Sequence, residues 1–229
     1  MSGRGGPQRI PRPAAAGPGG PAPWATIPPD QRTITLDDLR VAFTGRIGAP
    51  SFIEAEGSHR PSAVLAPFYE QDGEVWVVLT RRSWDLRNHT GEVSFPGGRS
   101  EAGETPRDAA LREAREEIAL DPATVDVLGE LDHLMTVTSS SFIVPFVGLL
   151  PGPPTLHANM SEVDAVLHVP VRELLLDEVY REERWNWGDR DRQIFFFELV
   201  GDTLWGATAA MMRHILSLAL GLDIGIDHA

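Results

Sequence analysis

Six residues between Gly98 and Glu117 have types and spacing suited to phosphate chemistry. Gly98 closes a glycine pair, Glu104 lies in the loop that follows, and Arg112, Glu113, Glu116 and Glu117 come in quick succession. At about 100° per residue, the three later glutamates share one arc of a helix. Ala110, Leu111, Ala114 and Ile118 share a neighbouring arc. One side packs and the other presents carboxylates. Like charges three and four residues apart cost roughly 0.2–0.5 kcal/mol per pair on an exposed helix, and a divalent cation among them removes that cost. Oxygen donors without cysteine or clustered histidine point to Mg²⁺ or Mn²⁺ rather than zinc. The competing reading, a solvated Glu/Arg face laced by ion pairs, explains neither the glycine pair nor the absence of lysine here. The helix has a defined start. Thr105 caps the first free N–H groups, Pro106 suits the first helical position, and Asp108 completes a Thr-x-x-acid box.

Composition bounds what surrounds this stretch. The chain has 229 residues and no cysteine, which excludes disulfides and thiolate metal sites. A formal net charge of −13 argues against a nucleic-acid or anionic-membrane surface. An anionic substrate would need a local basic patch or metal ions. No apolar run reaches transmembrane length, and Arg4 and Arg9 precede no hydrophobic secretory segment. A cytoplasmic location is the default expectation. Residues 1–29, dominated by Gly, Pro and Ala, predict a disordered tail. Residues 30–229 predict a single domain.

The elements that must position the acids can be read in order. Ile34 to Phe43 predicts a short helix capped by Thr35, and Gly45 to Arg60 a loop. Ser62 to Tyr69 and Val75 to Thr80 predict strands joined by a Gln-Asp-Gly-Glu turn. Glu92 to Phe95 is a short strand leading to Gly97. Strands are also predicted at Val125–Leu131, Phe142–Leu150 and Val163–Val169, with a short helix from Val171 to Leu176. Val179–Trp185 and Gln193–Val200 form a hairpin around Asn186 to Asp189, and Trp205–Leu220 closes the chain as a helix. The class is α/β.

The stretch from Gly98 to Leu120 resembles the Nudix box, G-x5-E-x7-R-E-U-x-E-E-x-G-U, where U is a bulky apolar residue. Gly98, Glu104, Arg112, Glu113, Glu116, Glu117 and Leu120 match. Ala114 is a small residue at the first U. Ala119 replaces the final glycine, so the helix exit is expected to differ, stopping at Asp121-Pro122. The resemblance implies an α/β/α sandwich with a mixed β-sheet and a pyrophosphatase acting on a nucleoside diphosphate linked to another moiety. It implies that Glu113, Glu116 and Glu117 hold Mg²⁺ or Mn²⁺, with the Gly97 carbonyl as a further ligand. Glu116 is the first choice for the carboxylate that takes the proton, and Glu162 is the candidate from another strand. Arg112 would orient the acids through an ion pair with Glu104.

Upstream, Leu79-Thr80-Arg81-Arg82-Ser83-Trp84-Asp85-Leu86-Arg87-Asn88-His89-Thr90-Gly91, continuing to Phe95-Pro96-Gly97-Gly98, resembles the coenzyme A pyrophosphatase branch of that family. Trp205-Gly206-Ala207-Thr208-Ala209 resembles a short W-G-x-T-A segment of the same branch. Glu162-Val163 with Val169-Pro170 resembles a more general Nudix strand ending. The branch implies cleavage of coenzyme A or its derivatives to 3′,5′-ADP and 4′-phosphopantetheine or its acyl form. Arg81, Arg82, Arg87 and His89 are then the candidates for binding substrate phosphates. Two alternatives stay open: a Nudix enzyme for ADP-ribose or another nucleoside diphosphate derivative, and a non-catalytic nucleotide-binding module. Other readings of single residues also stay open. Arg81 and Arg87 could pair with acids such as Glu101 or Glu104. Trp185 and Trp187 could stack a base, though hairpin packing explains them as well, and Trp205 reads best as packing. The helix from Trp205 and the Phe195–Phe197 run could serve the core or a homodimer.

Overall fold

The computed structural model describes residues 3–50, 61–135, 142–187, 190–222 and 224. The far part of the expected 45–60 loop, the tip of the hairpin turn and most of the last seven residues lie outside them. The elements are β1 (Gly17–Pro18), α1 (Leu36–Phe43), β2 (Ser62–Gln71), β3 (Glu74–Arg82), β4 (Val93–Ser94), β5 (Gly97–Arg99), α2 (Pro106–Ile118), β6 (Asp126–Glu130), β7 (Leu134–Met135), β8 (Phe142–Leu149), β9 (Val163–Pro170), α3 (Val171–Leu174), β10 (Tyr180–Trp187), β11 (Arg190–Glu198), β12 (Thr203–Trp205) and α4 (Gly206–Ala219). Among the described residues no helix is long and apolar enough to cross a membrane.

The larger sheet is mixed, with path β4-β3-β2-β8-β6 and with β5, β7 and β9 pairing β2, β8 and β3. β2 runs parallel to β8 and antiparallel to β3. It reads as a near-continuous apolar run because both its faces are covered. Ala63, Leu65 and Tyr69 pack with Ala110, Ala114 and Ile118 of α2. Val64, Ala66 and Phe68 face the opposite way, into a core with Leu39 and Phe43 of α1 and Met212, Ile215 and Leu216 of α4. The result is the expected helix–sheet–helix sandwich. A tight turn joins β2 to β3 through Asp72 and Gly73, both at positive φ.

One edge of β2 is shared. β3 pairs with its end at Phe68–Gln71, and β5 pairs with its start at Ser62–Val64. β3 and β5 therefore diverge along β2, and that divergence opens the space in which the site lies.

A second sheet has order β1-β10-β11-β12. Phe195 and Phe197 of β11 point into the main core. Ile194, Phe196 and Trp185 face the other way, and Ile10, Ala16 and Trp205 pack against them. This corrects the expected disordered tail. The segment before α1 supplies the cover for an apolar sheet face that would otherwise meet water. β1 pairs with Glu183 and Arg184, Arg12 Nε lies 2.7 Å from Glu183 Oε2, and Trp24 is fully buried. Both apolar surfaces that could have served a homodimer, the phenylalanine run and α4, are buried within the chain.

The exit of α2 also departs from expectation. Ala119 takes the left-handed conformation itself, at φ 57°, with its N–H on the Arg115 carbonyl and the Leu120 N–H on Ala114. The exit a glycine would give is thus kept, at a cost of about 1 kcal/mol for a residue with a Cβ. Ala119→Gly should stabilise the fold by up to about 0.6 kcal/mol after the greater freedom of the unfolded glycine, roughly 0.4–1 kcal/mol, is deducted. A rise in melting temperature without change in activity would show it.

Candidate functional site

α2 begins as its sequence dictates. Thr105 accepts the Asp108 N–H at 3.2 Å, and its hydroxyl donates to the Asp108 carboxylate at 2.7 Å. With the apolar arc held against β2, Glu113 and Glu117 turn toward β5 and Glu116 toward solvent. The Gly97 N–H donates to Glu117 Oε2 at 3.1 Å. Gly98 leaves room for Glu113, since a Cβ there would lie 2.4 Å from its Oε1. The glycine pair is therefore a matter of space as well as turning.

Arg112 sits at the centre of the acids. Its Nε lies 2.9 Å from Glu104 Oε1, and its Nη1 reaches Glu113 Oε1 at 3.0 Å and Glu116 Oε2 at 2.9 Å. Its Nη2 donates to the Arg99 carbonyl at 3.0 Å. The expected Glu104 pair is present and extends to two of the box acids. Arg112 and the Glu101 N–H hold the Glu104 carboxyl below its usual range.

Glu117 is the buried acid, 4% exposed. Burial pushes its carboxyl up to about 7, against the Gly97 N–H and Arg82 and with further upward push from Glu113 and Glu162. Burial also raises Glu113; Arg112 opposes this, while Glu116 and Glu162 add to it. Glu162, in the turn before β9, thus shares the electrostatic field of the helix acids. Among the described residues no three carboxylates are already gathered in metal-binding geometry. The donor chemistry nevertheless suits a hard divalent cation. Glu113 and Glu117 are both raised by burial and pushed further by neighbouring carboxylates, with Arg112 and Arg82 opposing.

The four basic candidates divide. Arg81 and Arg82 are adjacent at the end of β3, where the register against β9 shifts between them, and their side chains go to different partners. Arg81 Nε meets Asp164 Oδ2 at 2.9 Å, and its Nη1 meets both Asp202 oxygens at 2.9 and 3.1 Å. Contrary to the expected phosphate role, Arg81 is an internal strut tying β3 to β9 and to the turn before β12. Arg82 lines a cavity of about 470 Å³. Its Nη1 lies 4.0 Å from Glu117 Oε1, and its buried Nε meets no hydrogen-bond acceptor among the described residues. His89 lines the same cavity at positive φ, with Nδ1 2.9 Å from Glu92 Oε2. Arg87 is exposed on the loop between them, away from the cavity lining.

The cavity occupies the gap between β3 and β5. Its far wall holds Leu134, Met135, Ile143, Trp205, Ala207 and Met211. Of these the sequence singled out only Trp205 and Ala207, in one short segment, because the others come from separate elements with no shared motif. Trp185 also lines it, but its indole N–H donates to Glu183 and it packs as hairpin core.

The family model for the NUDIX domain matches residues 59–190. The chain belongs to the Nudix family. It is 34% identical over 196 residues to a protein of Escherichia fergusonii named as the uncharacterized Nudix hydrolase NudL, covering 85% of this chain and 97% of that one. The protein of the same name from Escherichia coli strain SMS-3-5 is 34% identical over 200 residues, covering 86% and 98%. Among solved structures, a MutT/nudix family protein from Enterococcus faecalis aligns at TM-score 0.51 and 15% identity, over 75% of this chain and 70% of that one. That likeness speaks to the Nudix fold alone. The protein is a Nudix pyrophosphatase, and the intact acid helix is the part of the chain suited to that chemistry.

Proposed function

We propose that this enzyme hydrolyses the diphosphate of coenzyme A or its derivatives, giving 3′,5′-ADP and 4′-phosphopantetheine or its acyl form. One observation carries the reading. The two segments that resemble the coenzyme A branch lie far apart in the chain, yet both line one cavity: Arg82, His89, Phe95, Gly97 and Gly98 from the first, Trp205 to Thr208 from the second. That cavity adjoins the buried acids through Gly97, Gly98 and Arg82.

Glu113, Glu116 and Glu117, with the Gly97 carbonyl, would hold Mg²⁺ or Mn²⁺. The bound ion would neutralise the diphosphate and lower the pKa of a water. Arg112 fixes the orientations of Glu113 and Glu116. Glu116, and after it Glu162, is the candidate to accept the water proton; both are exposed to solvent. Arg82 offers guanidinium N–H groups to a phosphate oxygen within reach of Glu117. Arg87, with no ion pair among the described residues, is left for the more distant 3′-phosphate.

The test is incubation with Mg²⁺ or Mn²⁺ and coenzyme A, dephospho-coenzyme A, ADP-ribose and nucleoside triphosphates, with products identified by mass. Preferred cleavage of coenzyme A is expected, and a preference for ADP-ribose would overturn the reading. The two neighbouring arginines should fail differently. Arg82→Ala is expected to raise KM about tenfold with the fold intact. Arg81→Ala should instead lower stability by about 3 kcal/mol, because it leaves the buried Asp202 carboxylate without its cation. Paired kinetics and thermal melts separate the two.

A further inference from the structure

We propose that Gln8 is a positioning residue for the substrate site, acting through the backbone of Gly91. The proposal rests on reading the cavity beside the acids as the place where substrate binds. The Gln8 side chain is buried and fully used. Its Nε2 donates to the Gly91 carbonyl at 3.1 Å and to Asp202 Oδ1 at 2.7 Å. Its Oε1 accepts the Thr203 N–H at 2.8 Å. Two segments distant in sequence, the Gly91 loop and the Asp202–Thr203 turn, meet on this one amide.

The neighbouring backbone is built around the same point. The Gly5 N–H donates to the Leu199 carbonyl at 2.8 Å, and the Gly6 N–H to Thr203 Oγ1 at 3.0 Å. Gly6 approaches so closely that a Cβ would lie 2.5 Å from the Asp202 Cα. The strand-like start of the chain is thus seated against the turn that leads into β12.

Gly91 belongs to the loop that carries Arg87, His89 and Glu92. It sits at φ 67°, and a Cβ there would collide with the Trp84 ring at 2.2 Å. On its far side the loop is tied to β3, where the Arg82 N–H donates to the Glu92 carbonyl at 2.9 Å. On its near side the Gln8 amide grips the Gly91 carbonyl. His89 and Glu92, bonded to each other, line the cavity beside these two ties. Gln8 also holds Asp202, which Arg81 grips beside Arg82. The N-terminal segment comes nearer still, since Pro11 itself lines the cavity. Losing the amide would leave the Gly91 carbonyl and the Thr203 N–H without partners and free the loop to wander. The effect should fall on substrate binding before the chemical step.

Steady-state kinetics on coenzyme A with Mg²⁺, together with thermal melts, test this in the full-length chain. Gln8→Met keeps the volume and removes all three bonds. It is expected to raise KM about tenfold with kcat within about twofold of wild type. Gln8→Asn keeps the amide one methylene short and should raise KM less. Arg12→Ala breaks a different anchor of the same segment, the pair with Glu183, and should leave KM within about twofold. The proposal is overturned if Gln8→Met lowers only the melting temperature, if kcat falls with KM unchanged, or if Arg12→Ala raises KM equally. Should wild type prefer ADP-ribose, the coenzyme A reading fails. The same KM ratios, measured on ADP-ribose, then still decide the role of Gln8.

Discussion

In Glu117→Gln, hydrolysis is expected to fall at least a hundredfold, on the order of what a lost catalytic carboxylate costs, while the melting temperature in chelator stays level or rises. The two halves of this result share a cause. Burial makes a charged carboxylate costly at this position, and the Gly97 N–H and an Arg82 nitrogen 4.0 Å away offset that only in part. Glutamine keeps an oxygen for the Gly97 N–H and removes the charge, so the fold gives up nothing. What goes is the negative oxygen that a divalent cation would need. Wild type should therefore gain melting temperature on titration with Mg²⁺, and Glu117→Gln should gain little. An active variant, or one that Mg²⁺ still stabilises as it does wild type, would break the assignment of this side chain as a metal ligand.

The second large effect lies far from the acids. Trp24→Ala should destabilise the protein by about 3–5 kcal/mol, the usual range for truncating a buried tryptophan. In a chain of this size that lowers the melting temperature by roughly 10 °C. The indole is fully buried, edge-on to Tyr180 at 5.4 Å and stacked on Phe197 at 6.3 Å. Arg32 reinforces the same region, bonding the Ile27 and Leu175 carbonyls and the Asp177 carboxylate. Calorimetry would measure the loss. A variant as stable as wild type would mean that the segment before α1 does not pack as described.

The acid helix could be read from the chain because its constraints are local. Cap, proline, apolar arc and carboxylate spacing all fall within Thr105–Ile118, and each is decided by neighbours three or four residues away. The strands were equally legible where alternation or burial was strong, as in β2, β3 and β8. The tail was not. Its glycines and prolines carry no periodicity, and the partners of Trp24 and Gln8 lie more than 80 residues further along the chain. Nothing near either residue announces them. Arg81 is a different kind of miss. The strand is expected to end at Thr80, whereas β3 runs on to Arg82, and the register shift against β9 between Arg81 and Arg82 has no mark in the local sequence. The cavity wall of Leu134, Met135, Ile143 and Met211 could not be assembled from sequence, because only the topology of the sheet brings those elements together.

The docking of the first thirty residues onto the second sheet also orders events during synthesis. The bridge between Arg4 and Val200 and the bonds from Gln8 to Asp202 and Thr203 span nearly the whole chain. A ribosome delivers the acid helix and the central strands long before it delivers those partners. Residues 4–8 thus precede their partners by some 195 positions and settle late, waiting on loop closure over long separations. Until residues 205–211 emerge, the nascent protein already carries its carboxylates, but the part of the cavity wall formed by Trp205, Ala207 and Met211 is still missing.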